Sequence, residues 1–177
     1  SRLSATRLPN KPLLKINGLS IISHVFKKAE RANIGEVVVA AEDQEIIDDV
    51  ESNGGQAILT SKNSKTGTDR IFEALTKLNV SDVDFIMNIQ GDEPGIDIED
   101  IKNLNNQMKN HQVQLGTLAV EIKNPKMYHD ENVVKVLTNK SFKENLFPLA
   151  ETFTRKTEAK KNIFHHIGIY CYEIETL

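Results

Sequence analysis

The chain has 177 residues, enough to bury one sizeable core, and its 39% hydrophobic and 27% charged residues match an ordinary globular protein. A net charge of -3 offers no basic surplus for nucleic acid, so an anionic small molecule would need a local cluster of cations. No apolar run approaches the roughly 20 residues of a membrane span, no signal-peptide pattern is visible, and the single cysteine, Cys171, excludes an internal disulfide and fits a reducing cytoplasm.

The chain opens on a basic loop, Arg2-Leu3-Ser4-Ala5-Thr6-Arg7, stiffened by Pro9 and Pro12. After Gly18, the residues Ile21, Ile22, Val25, Phe26 and Ala29 recur at helical spacing, which predicts a helix over about 20–32 with its stop near Gly35. Val37 to Ala41 reads as a buried strand. Ile46, Ile47 and Val50 predict a helix over 43–53, and Ala57 to Thr60 a second strand. A polar loop, Ser61 to Gly67, precedes a helix carrying Ile71, Phe72, Leu75 and Leu78, which either Thr66 or Thr68 caps, with Asp69 in its first turn. Phe85 to Ile89 is a third strand, and Asp97 starts a helix with Ile98, Ile101, Leu104 and Met108 on one face. Residues 115–122, 133–137 and 164–172 read as strands, whereas 139–162 is polar, lysine-rich and unassigned. Alternating strands and amphipathic helices give an α/β fold with a mixed, mostly parallel sheet, in one domain over 1–177.

In such sheets ligands bind beyond the carboxyl ends of the strands. One candidate is Gln90-Gly91-Asp92, where Gly91 admits close approach of backbone and Asp92 offers a hard oxygen for Mg²⁺; an ordinary strand-to-turn transition would look the same. The second is the opening loop, where Arg2, Arg7 and Lys11 with Ser4 and Thr6 suit a triphosphate, or else form a solvated basic loop. Thr66-Gly67-Thr68 at a helix start could read a base or ribose, or serve only as a cap. His165 and His166 lie in a strand with no metal-ligand spacing around them. There is no P-loop, no Gly-x-Gly-x-x-Gly and no Gly-x-Ser-x-Gly.

Taken together, residues 1–13, Ile16-Asn17-Gly18, Thr66 to Arg70, Asn88 to Pro94 and His166 to Tyr172 closely resemble, in content and order, the motifs of bacterial CMP-Kdo synthetases (Kdo, 3-deoxy-manno-octulosonate). The resemblance covers nearly the whole chain. It implies a nucleotide-diphospho-sugar transferase fold, a three-layer α/β sandwich, and a cytoplasmic homodimer in lipopolysaccharide biosynthesis. The implied reaction takes CTP and Kdo to CMP-Kdo and pyrophosphate with Mg²⁺, and uses neither membrane nor nucleic acid. By position, Arg2, Arg7 and Lys11 hold the triphosphate, Ser4 and Thr6 shape the loop, and Asp92 binds the metal. Gln90, Arg155, His166 and Tyr170 take the sugar, and Thr66, Gly67 and Thr68 the cytidine.

Three departures stand out. Ala40-Ala41-Glu42 replaces the family's Ala-Thr-Asp, and Phe153-Thr154-Arg155 matches its Phe-Ser-Arg only loosely, without the Ile-Pro that follows it. The family's first strand and its Val-Asp-Thr-x-x-Asp segment, which supplies a second metal carboxylate, fall outside residues 1–177; a molecule of this extent alone is expected to be inactive. The alternatives are a cytidylyltransferase for a sialic-acid-like sugar, whose opening loop typically reads Ala-Arg-Gly-Gly-Ser-Lys-Gly, and a nucleotide-binding domain without turnover.

Overall fold

A computed structural model describes residues 1–3, 8–64, 66–80, 82–159 and 161–177. In chain order the elements are β1 Lys15–Ile16, β2 Leu19–Ser20, α1 Ile21–Ala32, β3 Val38–Ala41, α2 Gln44–Ser52, β4 Gln56–Leu59, α3 Gly67–Leu78, β5 Phe85–Ile89 and α4 Ile98–His111. There follow β6 Leu115–Glu121, α5 Lys126–His129, β7 Lys135–Thr138, β8 Ala150–Thr154 and β9 Ile163–Glu173. The chain divides into two compact units, Ser1–Gly116 with Ile169–Leu177, and Thr117–Gly168.

In the first unit, β3 and β4 pair in parallel, Val38 opposite Gln56 and Ala41 opposite Leu59. β5 pairs antiparallel with the last part of β9, from Phe85 opposite Glu173 to Ile89 opposite Ile169. One core cluster joins Ile22 and Phe26 of α1, Val39 and Ala41 of β3, and Ile46, Ile47 and Val50 of α2. Each isoleucine, valine or phenylalanine among them, when fully buried, contributes about 1.5–3 kcal/mol.

Local chemistry sets the helix ends. The Ser20 hydroxyl accepts from the Ser23 amide at 3.2 Å and caps α1, while Asp97 caps α4 by accepting from Glu99 N–H. Of the two threonines that could cap α3, Thr66 does so, because Asp69 lies three residues beyond it. The Thr66 hydroxyl accepts from Asp69 N–H at 3.1 Å, and the Asp69 carboxylate accepts from Thr66 N–H at 2.8 Å. α1 stops earlier than the glycine suggested: Asn33, at φ 52, takes the left-handed position two residues ahead of Gly35. Asparagine tolerates that conformation through its short polar side chain, so no glycine is required there.

Gly55 is required by packing. A Cβ there would meet Val50 Cγ1 at 2.7 Å and Phe26 Cε1 and Cζ at 2.8 Å, atoms that belong to the buried cluster. Gly55→Ala is therefore expected to lower unfolding free energy by about 1–3 kcal/mol through overpacking. Urea titration at unchanged m-value is the check.

The second unit is an antiparallel assembly around β7. Lys135 and Val136 face Thr154 and Phe153 of β8 on one side, and His165 and Phe164 of β9 on the other. The Phe142 ring stacks on Phe164 at 3.9 Å. β8 arises inside the polar stretch 139–162, which carries no alternating pattern. Its exposure, mostly outward at Glu151, Thr152 and Phe153, explains the missing signal.

Candidate active site

Two candidates that are 81 residues apart in sequence meet in the first unit. The Lys11 ammonium donates to Asp92 Oδ2 at 2.8 Å, with the side chains 34% and 44% exposed. Lys11 is held by a 3-10 turn, Lys11–Leu13, anchored by buried Pro12. Asp92 follows β5, and its position depends on Gly91. A Cβ on Gly91 would lie 2.5 Å from Ile22 Cδ1 of α1, so a side chain here would press on that buried isoleucine. The half-exposed pair leaves both charges accessible to a ligand.

The other nucleotide-side candidates fall as follows. Arg2 is exposed, and Leu3 N–H donates to Asp43 Oδ2 at 2.7 Å, which fixes the start of the loop to the N-cap of α2. Ser4, Thr6 and Arg7 lie outside the described residues. Thr66 and Gly67 are exposed at the start of α3, and the Thr68 hydroxyl lies 3.4 Å from that of Tyr172. The N–H groups of a helix's first turn have no partner within the helix, so this end presents donors.

Among the sugar-side candidates, Gln90 is exposed directly after β5, and Tyr170 stands opposite Asn88 in the β5–β9 register, both in the first unit. Tyr170 stacks with Tyr172 at 6.2 Å, and burial pushes its phenol above the ordinary value of 10.0. In the second unit, His166 Nε2 lies 2.9 Å from the Thr117 hydroxyl, and its ring meets that of Phe153 edge-on at 5.1 Å. The exposed Arg155 donates through Nη1 to the carbonyls of Glu131 at 2.9 Å and Asn132 at 3.2 Å.

Burial, followed by repulsion from His165, holds His166 below the ordinary imidazole value of 6.5. Unfolded chains therefore bind more protons than folded ones once the pH falls below 6.5. The stabilisation is complete above that value and is lost progressively as the pH drops toward the native pKa. A urea midpoint that declines with acidification below pH 6.5, and declines less in His166→Gln, is the expected result.

Sequence reasoning missed several residues. Lys135, fully buried, donates to the carbonyls of Asp130 at 2.6 Å and Arg155 at 2.7 Å, so it ties the turn before β7 to the end of β8. Its only signal is a lysine interrupting Val133-Val134-Lys135-Val136-Leu137. Thr117, the partner of His166, carries no local signal. Cys171 is fully buried and its thiol is pushed up to about 11, which removes it as a nucleophile.

In this α/β unit an acid just beyond a strand, Asp92, and a cation from the opening 3-10 turn, Lys11, stand side by side. A solved CMP:2-keto-3-deoxy-manno-octonic acid synthetase complexed with CTP matches 99% of this chain and 72% of its own, at a TM-score of 0.86 and 32% identity. The chain belongs to the cytidylyltransferase family, whose sequence model matches residues 1–176, and within it to the CMP-Kdo synthetases. A 3-deoxy-manno-octulosonate cytidylyltransferase of Rhizobium etli is 39% identical over 97% of this chain and 69% of its own length. One from Rhodopseudomonas palustris is 40% identical over 97% and 71%.

Proposed function

We propose that the protein transfers CMP from CTP to 3-deoxy-manno-octulosonate, releasing pyrophosphate. The observation that carries this reading is the Lys11–Asp92 pair, 2.8 Å apart, in a chain that matches the cytidylyltransferase family over residues 1–176. The relatives' names and the CTP-bound structural neighbour supply the substrates.

Arg2, Arg7 and Lys11 neutralise the triphosphate, and Asp92 keeps the Lys11 ammonium oriented at the strand tip. Thr66 caps the helix start, where the Gly67 amide and the Thr68 hydroxyl meet the cytidine. In the first unit, Gln90 and Tyr170 take the acidic sugar. Its anomeric hydroxyl attacks the α-phosphorus as the bond to pyrophosphate breaks, and the hydroxyl proton is lost to solvent. Such phosphoryl chemistry asks chiefly for positioning and charge neutralisation.

Asp92 suits Mg²⁺. Its Oδ2 accepts from Lys11, and among the described residues its Oδ1 has no partner. No group of three or more His, Cys, Asp or Glu side chains gathers among them, so an ion held by Asp92 would complete its shell with phosphate and water, as Mg²⁺ commonly does. The metal, when bound, supplies charge neutralisation to the phosphates.

A cytoplasmic homodimer is part of the same reading. No helix among the described residues is long and apolar enough to cross a membrane. Leu146, Leu149 and Phe153, exposed by 80%, 69% and 48%, are apolar side chains that a second copy would cover. The reading is tested by incubating the intact protein with Kdo, Mg²⁺ and CTP or UTP, and identifying products by mass. CMP-Kdo from CTP is expected; a uridylyl product, or none, would remove the cytidylyl assignment.

A further inference from the structure

One guanidinium ties together three element ends in the first unit. Arg70, in the second turn of α3, is 6% exposed. Its Nη1 donates to the Thr60 hydroxyl at 2.5 Å and to the Ser61 carbonyl at 3.3 Å, and its Nη2 donates to the Glu42 carboxylate. Glu42 directly follows β3, and Thr60 directly follows β4. Thr60 also bonds back to β3, its amide donating to Ala41 O at 2.7 Å and its hydroxyl to the same oxygen at 3.0 Å. One turn further along α3, Glu73 accepts from Ser61 N–H at 2.7 Å and from the Ser64 hydroxyl at 3.2 Å. The loop leaving β4 is thus gripped by two residues of the helix it leads into.

Apolar packing does not fix this loop, because Ser61, Lys62 and Asn63 are exposed and polar. Directional bonds hold it instead, and a planar, permanently charged guanidinium supplies them in a fixed fork. A buried ion pair is a poor source of stability compared with packed apolar residues of equal volume, so geometry is the property it supplies best. At the departure Ala40-Ala41-Glu42, the carboxylate is engaged by Arg70.

We propose that Glu42 and Arg70 are positioning residues for nucleotide binding. They set residues 61–64 and 66–68, and with them the first turn of α3, at the height from which Gly67 and Thr68 meet the base of CTP. This rests on the reading of Thr66 to Thr68 as the cytidine contact.

The test is steady-state kinetics on the intact protein with Glu42→Gln, Glu42→Asp and Thr68→Val, with melting temperature recorded for each. Glu42→Gln is expected to raise KM for CTP about tenfold, the scale of one weakened charge-assisted hydrogen bond. The kcat and the KM for the sugar should stay within about threefold, the pattern of lost ground-state binding. Glu42→Asp, which restores the charge on a shorter arm, should recover part of the loss. A KM for CTP unchanged in Glu42→Gln while the melting temperature falls would make the pair structural only and overturn the proposal. If Glu42→Gln leaves KM unchanged but Thr68→Val raises it, the cytidine reading survives and the positioning role fails. An unchanged KM in Thr68→Val removes both.

Discussion

Replacing Asp92 with Asn lowers turnover by on the order of 10²–10³, the size of effect seen when a preorganised charged contact is removed from an active site. The substitution keeps the side chain's shape but removes the charge that pairs with Lys11 at 2.8 Å and suits a metal. Folding should scarcely notice. The two side chains are 34% and 44% exposed, and ion pairs in such settings contribute about 0–1 kcal/mol. A fall in kcat with an unchanged urea midpoint is therefore the signature, measured as pyrophosphate release at saturating CTP and sugar. A kcat within about threefold of the parent would take Asp92 out of the reacting centre.

Arg70→Met produces the opposite pattern, a large loss of stability. It leaves the Glu42 carboxylate, whose side chain is 9% exposed, without its cation, and the Thr60 hydroxyl and Ser61 carbonyl without their donor. Removing one partner of a buried pair typically costs about 3–5 kcal/mol, because an uncompensated charge stays behind in a poorly solvated place. The double variant Glu42→Leu/Arg70→Met should recover much of that loss, since no charge remains to be desolvated. Urea unfolding of the two variants decides the matter. A loss below about 1 kcal/mol in Arg70→Met would mean that water reaches the pair.

The periodic parts of the fold were legible. The apolar spacing in 20–32 gave α1 to within a residue, and the continuous run 85–89 gave β5 at its observed bounds. The cap of α3 was narrowed to Thr66 or Thr68, and α4 was placed to start at Asp97, its observed N-cap. The short hairpin of β1 and β2 was missed, since strands of two residues each have no period to detect. β8 was missed because its residues largely face outward and need not alternate.

The candidate site divides along the same line. The motifs name candidate residues one by one, and the structure brings two of them, Lys11 and Asp92, together across 81 positions. The contacts that hold such residues in place were not found. Lys135 reaches carbonyls 5 and 20 residues away, and Arg70 reaches a carboxylate 28 residues away. Lys135 carries no motif and Arg70 only closes one, and burial in the folded chain turns each into a clamp. Glu42 reads in sequence as a departure from a motif, and in the fold its carboxylate accepts from Arg70.

The most direct test of the account is the sugar dependence of pyrophosphate release by the intact protein, with CTP and Mg²⁺ fixed and either Kdo or a sialic acid supplied. The account predicts release that requires Kdo and is absent with the sialic acid. Release with the sialic acid alone, or none with either sugar, would contradict it.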